Sequence, residues 1–215
     1  MKGGTWGFDK WAVAFVVIAG VGCGGGDGDD PLAGRTADPD EVRKAMAALQ
    51  AKGVEFMEVD RKGNPGGVRL GQSQVTDTDL MHLKPLIHLK TVDLGGLQIT
   101  DAGLANLADL PLIEKLNLGK TMVTDAGLGR LAKLKRLKEL NLSQTRVTNM
   151  GLVALKALTA LENLHLTGCA GVTDEGLDHL VPLENLKSLL IEDTACTDAG
   201  EEKFSKQRRS VNVQR

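Results

Sequence analysis

The sequence predicts an α/β solenoid: one right-handed stack of units, each holding a short strand and a short helix. Three observations predict it. A phrase of the form (V/I/C)-T-(D/N) recurs at 75, 99, 123, 147, 172 and 196, so the period is 24 residues with one step of 25. A fixed spacing of this length is the mark of stacked repeats. Within each period, two apolar residues stand at strand spacing (Leu140 and Leu142) and three more at helical spacing (Leu152, Leu155 and Leu158). One such unit buries little by itself, and only stacking makes its leucines into a continuous core.

The N-terminal stretch comes first. Lys2 and Lys10 bracket a charged start, and Trp11 to Val21 is an apolar run of eleven residues interrupted only by Gly20. That run is too short to span a bilayer and has the length of a signal-peptide apolar region. It ends in Gly20-Val21-Gly22-Cys23, and Gly24-Gly25-Gly26-Asp27-Gly28-Asp29-Asp30 follows, a stretch without core-forming residues that reads as a flexible tether. The small residues before Cys23 resemble the lipobox of bacterial lipoproteins, with Gly20 where that motif has leucine. The resemblance implies that Cys23 is the lipidation site and the mature N-terminus.

Order is expected from Asp38. Asp38 suits an N-cap, Pro39 the first helical position and Glu41 the capping-box position. Val42, Met46 and Leu49 then give a helix to about Ala51 its apolar face, and Val54 to Val59 reads as a strand. Arg61 to Gly67 is a turn, and Val68 and Leu70 have the spacing of strand leucines, with Leu70 standing 24 residues before Leu94. The expected organisation is a signal peptide at 1–22, a tether at 23–37, an N-terminal cap at 38–73, repeats at 74–200 and a C-terminal cap at 201–215. Caps are required because a solenoid otherwise ends in bare core. In the last unit Glu201 replaces a leucine, Phe204 takes a leucine position, and 210–213 can form a final edge strand guarded by Arg208, Arg209 and Arg215.

The repeat itself explains its residues. Leu140-Asn141-Leu142 reads as a strand with both leucines inward and Asn141 outward. Thr145 stands where its hydroxyl can satisfy loop backbone. Thr148 suits a helix N-cap, with Val147 and Leu152 as a hydrophobic staple. The pattern L-x-x-L-x-L-x-x-(T/C) runs through Ile113-Leu116-Leu118-Thr121, Leu137-Leu140-Leu142-Thr145, Leu161-Leu164-Leu166-Cys169 and Leu186-Leu189-Ile191-Thr194, and more weakly through Leu89-Val92-Leu94-Leu97. These residues resemble the leucine-rich repeat family over about 75–200. The V-T-D-x-G-L phrase is most similar to its cysteine-containing subtype, found in substrate-binding halves of F-box proteins and in bacterial paralogues, although only Cys169 keeps the subtype's cysteine. The resemblance implies a non-catalytic binding scaffold.

Composition narrows the function further. The length of 215 residues suits one domain, and a net charge of -2 gives no ground for a nucleic-acid partner. Aromatic content is 3% with no tyrosine, and both tryptophans, Trp6 and Trp11, fall in the leader. A tight interface built on aromatic anchors is therefore hard to build here, because binding hot spots favour Trp, Tyr and Arg.

The outward strand positions form columns on the concave face. The central column runs Arg69, Asp93, Asn117, Asn141, His165 and Leu190; beside it stand Thr91, Lys115, Glu139, Asn163 and Ser188, with Lys120, Gln144 and Asp193 at the next turn. The expected ligand-binding residues are Arg69, Asp93, Lys115, Asn117, Glu139, Asn141, Asn163 and His165. They are expected to meet a protein or a surface polymer, with the solenoid acting as a monomer; the bland alternative is a face that is simply solvated.

No sequence cluster has metal-ligand spacing, and there is no nucleophile elbow or phosphate loop, so neither cofactor nor catalytic residue is expected. Asp77, Asp101, Asp125, Asp174 and Asp198 are best explained by the helix dipole. Cys169 and Cys196 are expected as free buried thiols, and Arg130, Lys133, Lys135, Arg136 and Lys138 as a solvated basic face, with a weak docking patch for an anionic membrane surface as the alternative. The rival readings are a cytosolic F-box-like adaptor, for which 1–73 offers no docking domain, an enzyme, which would need a convergent acid, base or nucleophile that the sequence does not offer, and a soluble exported repeat protein. The expected location is the cell envelope, lipid-anchored to a membrane.

Overall fold

The computed structural model describes residues 32, 34–71 and 73–215. The leader, with Cys23, lies outside them. The chain begins with α1 (Pro39–Gln50), which Asp38 caps by accepting from Asp40 N at 2.8 Å. Val42, Ala45 and Leu49 form its buried stripe. Next come β1 (Glu55–Met57) and β2 (Gly67–Arg69), then a short 3-10 helix (Asp79–Leu83). The repeats follow as β3 (Thr91–Asp93), α2 (Asp101–Leu104), β4 (Lys115–Asn117), α3 (Asp125–Leu131), β5 (Glu139–Asn141), α4 (Asn149–Leu155), β6 (Asn163–His165), α5 (Asp174–Asp178), β7 (Ser188–Leu190), α6 (Asp198–Gln207) and β8 (Asn212–Gln214).

Among the described residues, eight strands form one open sheet in chain order. β1 pairs antiparallel with β2, and every later pair is parallel. The register is set by the apolar middle residue of each strand: Val68 lies beside Val92, then Leu116, Leu140, Leu164, Leu189 and Val213. A slip by one residue would turn this whole row to solvent, so the leucines fix the pairing. Leu140 and Leu142 are fully buried, as are Leu152 and Leu155.

The turn hydroxyls do what their position requires. Thr121, Thr145 and Thr194 donate to Leu118 O, Leu142 O and Ile191 O at 2.6–2.7 Å, and Ser73 donates likewise to Leu70 O. Cys169 departs from this pattern: its thiol points to Leu142 O of the preceding repeat at 3.1 Å. Both Cys169 and Cys196 are free and buried.

Two expectations need correction. The helices are shorter than the leucine stripe implies: α4 ends at Leu155, and Leu158 packs from the turn beyond it. Lys133 likewise follows the end of α3. Nor is the helix dipole the main role of the recurring aspartates. Asp125 accepts from Thr148 N at 2.7 Å and from Thr148 Oγ1 at 2.6 Å, so it grips the N-cap threonine of the next repeat. Asp77 holds Thr100, Asp101 holds Thr124, and Asp174 holds Thr197 in the same way. Two charge-assisted bonds per repeat add direction to a contact that dipole attraction would leave loose.

The glycine of the phrase makes this possible. A Cβ at Gly127 would run into Asp101 Oδ1, and one at Gly151 into Asp125 Oδ1. At both ends the ladder is closed by other groups. Thr76 has no preceding aspartate, so Asp79 of its own repeat accepts from Thr76 N and Oγ1, and Lys52 of the N-terminal cap pairs with Asp79 at 2.8 Å. At the far end Asp198 is met by Arg215. In the last unit Phe204 fills the leucine site, and the Arg208 guanidinium donates to Val181 O, Leu183 O and Glu184 O.

Candidate functional site

The face of the sheet opposite the helices carries the outward residues of every strand. Parallel pairing in strict register stacks them: Thr91, Lys115, Glu139, Asn163 and Ser188 form one column, and Arg69, Asp93, Asn117, Asn141, His165 and Leu190 the next. Neighbours in a column stand about 4.8 Å apart, the spacing of paired strands. Every expected site residue among the described residues therefore falls on one surface. Cys23 lies outside the described residues.

Geometry divides these residues by what they already hold. Asp93, Asn117 and Asn141 fold their side chains back on the strand ends. Each accepts from the backbone N–H two residues on, at Gly95, Gly119 and Ser143, over 2.8–3.0 Å. Asn117 also donates Nδ2 to Asp93 Oδ1 at 2.7 Å. Asn141 is only 8% exposed. Asn141, expected as a contact residue, is thus buried and spends its amide oxygen on its own turn.

The charged members pair with one another. Lys115 Nζ lies 2.7 Å from Glu139 Oε1, and Arg69 Nη1 lies 3.5 Å from Glu55 Oε2. Glu55 was not legible as a site residue, since it reaches the face through the antiparallel β1, outside the repeat period. Burial pushes the His165 imidazole below its ordinary value, against the pull of the Glu139 carboxylate. The face thus presents a neutral imidazole at neutral pH.

The last three strands differ from the rest of the face. Asn163 and Ser188 are half-buried, Asn212 and Gln214 are exposed, and half-buried Leu190 adds an apolar contact among them. These amides and hydroxyl supply uncharged donors and acceptors. Beside the face, Lys120, Gln144 and Asp193 adopt left-handed backbone at the strand-to-loop turn, with φ of 59, 56 and 56°. Gly96 and Gly168 take the same turn elsewhere. The conformation belongs to the repeat, and the non-glycine side chains bear its cost of about 1–2 kcal/mol. Among the described residues no group of His, Cys, Asp and Glu could hold a metal ion, and no helix is long and apolar enough to cross a membrane.

A fold of this shape is known. The leucine-rich repeat family model matches residues 86–108 and 157–181. A leucine-rich repeat protein of Leptospira interrogans aligns at 20% identity and a TM-score of 0.50, over 63% of this chain and 33% of its own length. Internalin C2 of Listeria monocytogenes aligns at 20% identity and a TM-score of 0.53, over 85% of both chains. A second internalin from the same organism, InlF, gives 19% identity and 0.54, over 86% of this chain and 57% of that one. The chain thus spans about a third of the Leptospira protein and somewhat over half of InlF. Comparison with curated protein sequences yields no match. Repeat phasing, open parallel sheet and structural likeness together define an α/β leucine-rich repeat solenoid.

Proposed function

We propose that this protein is a non-catalytic binding scaffold, exported and tethered to a membrane through a lipidated Cys23. On this reading the concave face receives another protein or a surface polymer. The observation that carries it is the row of outward side chains, held in register along the sheet by an apolar core built from the inward residues. Solenoids use such extended faces for partners. The binding segment of that face is its C-terminal half, Asn163, His165, Ser188 and Leu190, joined by the Lys115–Glu139 pair. The N-terminal half is mostly consumed by its own turns.

The test is a pull-down with residues 31–215, a compact unit that contains the whole described core and both caps. Alanine at Asn163, His165 and Ser188 together should weaken capture by about 0.5–1.5 kcal/mol per lost hydrogen bond while leaving the fold intact. Glutamate at Lys133 and Lys156, off that face, should leave capture unchanged. Loss of capture by the second variant and retention by the first would sink the concave assignment. The tether has its own test: Cys23→Ser should move the full chain from membrane to soluble fraction, or leave it unprocessed, and unchanged fractionation and gel mobility would refute it.

A further inference from the structure

The fold sorts charge onto two opposite loop edges. The helix-to-strand turns at 84–90, 108–114, 132–138, 156–162, 181–187 and 205–211 hold eleven lysines and arginines against four acids. The strand-to-helix turns at 71–79, 95–103, 119–127, 143–151, 167–176 and 192–200 hold nine acids against two bases. A chain of net charge -2 therefore has one edge with seven positive charges in excess and one with seven negative. We propose that the basic edge docks on an anionic lipid bilayer.

The structure aligns those turns. Glu114 N donates to Lys90 O, Lys138 N to Glu114 O, Glu162 N to Lys138 O and Lys187 N to Glu162 O, each at 2.8 Å. The turns thus stack at strand spacing, about 4.8 Å apart, and the edge is a line of roughly 25 Å. Three of its four acids are already neutralised: Asp109 by Lys133, Glu114 by Lys138 and Glu162 by Lys187. Lys135, Arg136 and Lys156 are exposed beyond these pairs, and Lys135 reaches across to Ala157 O in the next turn. On the opposite edge acids outnumber bases by seven, so the field has a direction as well as a size.

A flat surface of diffuse negative charge is the partner that fits. The edge is dominated by lysine, a compact point charge without the planar fork that reads one bound group. Its turns contain no aromatic residue to insert or stack. A row of lysines near an anionic leaflet gains attraction charge by charge and loses it within a Debye length. The choice of a bilayer as occupant rests on the tether reading above. The test omits Cys23, so the two can fail separately.

Residues 31–215 would be sedimented with vesicles of phosphatidylglycerol and phosphatidylcholine, and with vesicles of phosphatidylcholine alone. Binding is expected for the anionic vesicles only, lost in high salt. It should fall at least about tenfold when Lys135, Arg136 and Lys156 are changed to Glu. Circular dichroism establishes that this variant is folded, and Glu192→Lys with Asp193→Lys, on the other edge, should not weaken binding. Equal binding to both vesicle types, binding kept by the triple variant, or no binding at low salt would overturn the proposal. So would salt-sensitive self-association or duplex DNA binding through these three residues without vesicle binding; the occupant would then be a second copy or a nucleic acid.

Discussion

At the scale of single residues, inward and outward strand positions are less different than alternation implies. Leu140 is fully buried between two equivalent strands, and Leu140→Ala should cost about 2–5 kcal/mol in chemical denaturation. Asn141 would ordinarily be ranked as a solvated neighbour. Its Oδ1 instead holds Ser143 N at 2.8 Å, and removing it orphans that donor. Asn141→Ala should therefore cost about 1–3 kcal/mol. Asn163→Ala, at the adjacent column, should cost under about 0.5 kcal/mol. Equal midpoints for the two asparagine variants would show that the turn bond contributes nothing.

At the scale of the repeat, the phrase V-T-D-x-G-L is a joint between neighbours. Threonine caps its own helix, aspartate grips the next threonine, and glycine leaves room for the aspartate behind it. Two glycines of one helix separate these effects. Gly127→Ala drives a methyl into Asp101 Oδ1 and should destabilise by about 1–3 kcal/mol, whereas a Cβ at Gly129 meets nothing within 4 Å. Gly129→Ala should stabilise by about 0.5–1 kcal/mol through helix propensity alone. Thermal midpoints shifted in the same direction by both would contradict the joint.

Asn149 is the exception in the row. Its Nδ2 donates to Thr173 Oγ1 at 2.7 Å, and Thr173 makes no side-chain cap bond to its own helix. Aspartate there would accept the hydroxyl proton and free a lone pair for the cap. Asn149→Asp should raise stability by about 0.5–1 kcal/mol, and a lowered melting temperature would refute this account.

At the scale of the molecule, stability rests on closing both ends of the stack. Asp79 does this at the N-terminal end. Burial opposes its ionisation, but the Lys52 ammonium and the two Thr76 bonds outweigh burial and hold its carboxyl at about 2, below the ordinary 3.8. The unfolded chain therefore binds this proton first as pH falls. The contribution is fully present above about pH 4 and is lost as pH drops from there towards 2, amounting to about 1–2 kcal/mol. Asp79→Asn should flatten that part of the acid stability profile. An unchanged acid limb would place the cap's stability elsewhere.

The sequence by itself determined the repeat, its strand-plus-helix unit and its inward leucines, because the apolar spacing within each 24-residue period buries its leucines only when neighbouring units stack. It also placed the outward columns, since alternation along a strand is fixed by backbone geometry. The tertiary structure decided which polar residues remain available. Asn117 and Asn141 look like surface groups in the sequence and serve their own turns in the fold, and Glu55 joins the face through an antiparallel strand outside the repeat. Aspartate to threonine across 23 residues and charge sorted onto opposite edges are likewise tertiary facts. Both depend on neighbouring repeats packed side by side, a proximity that local pattern, read one unit at a time, does not contain.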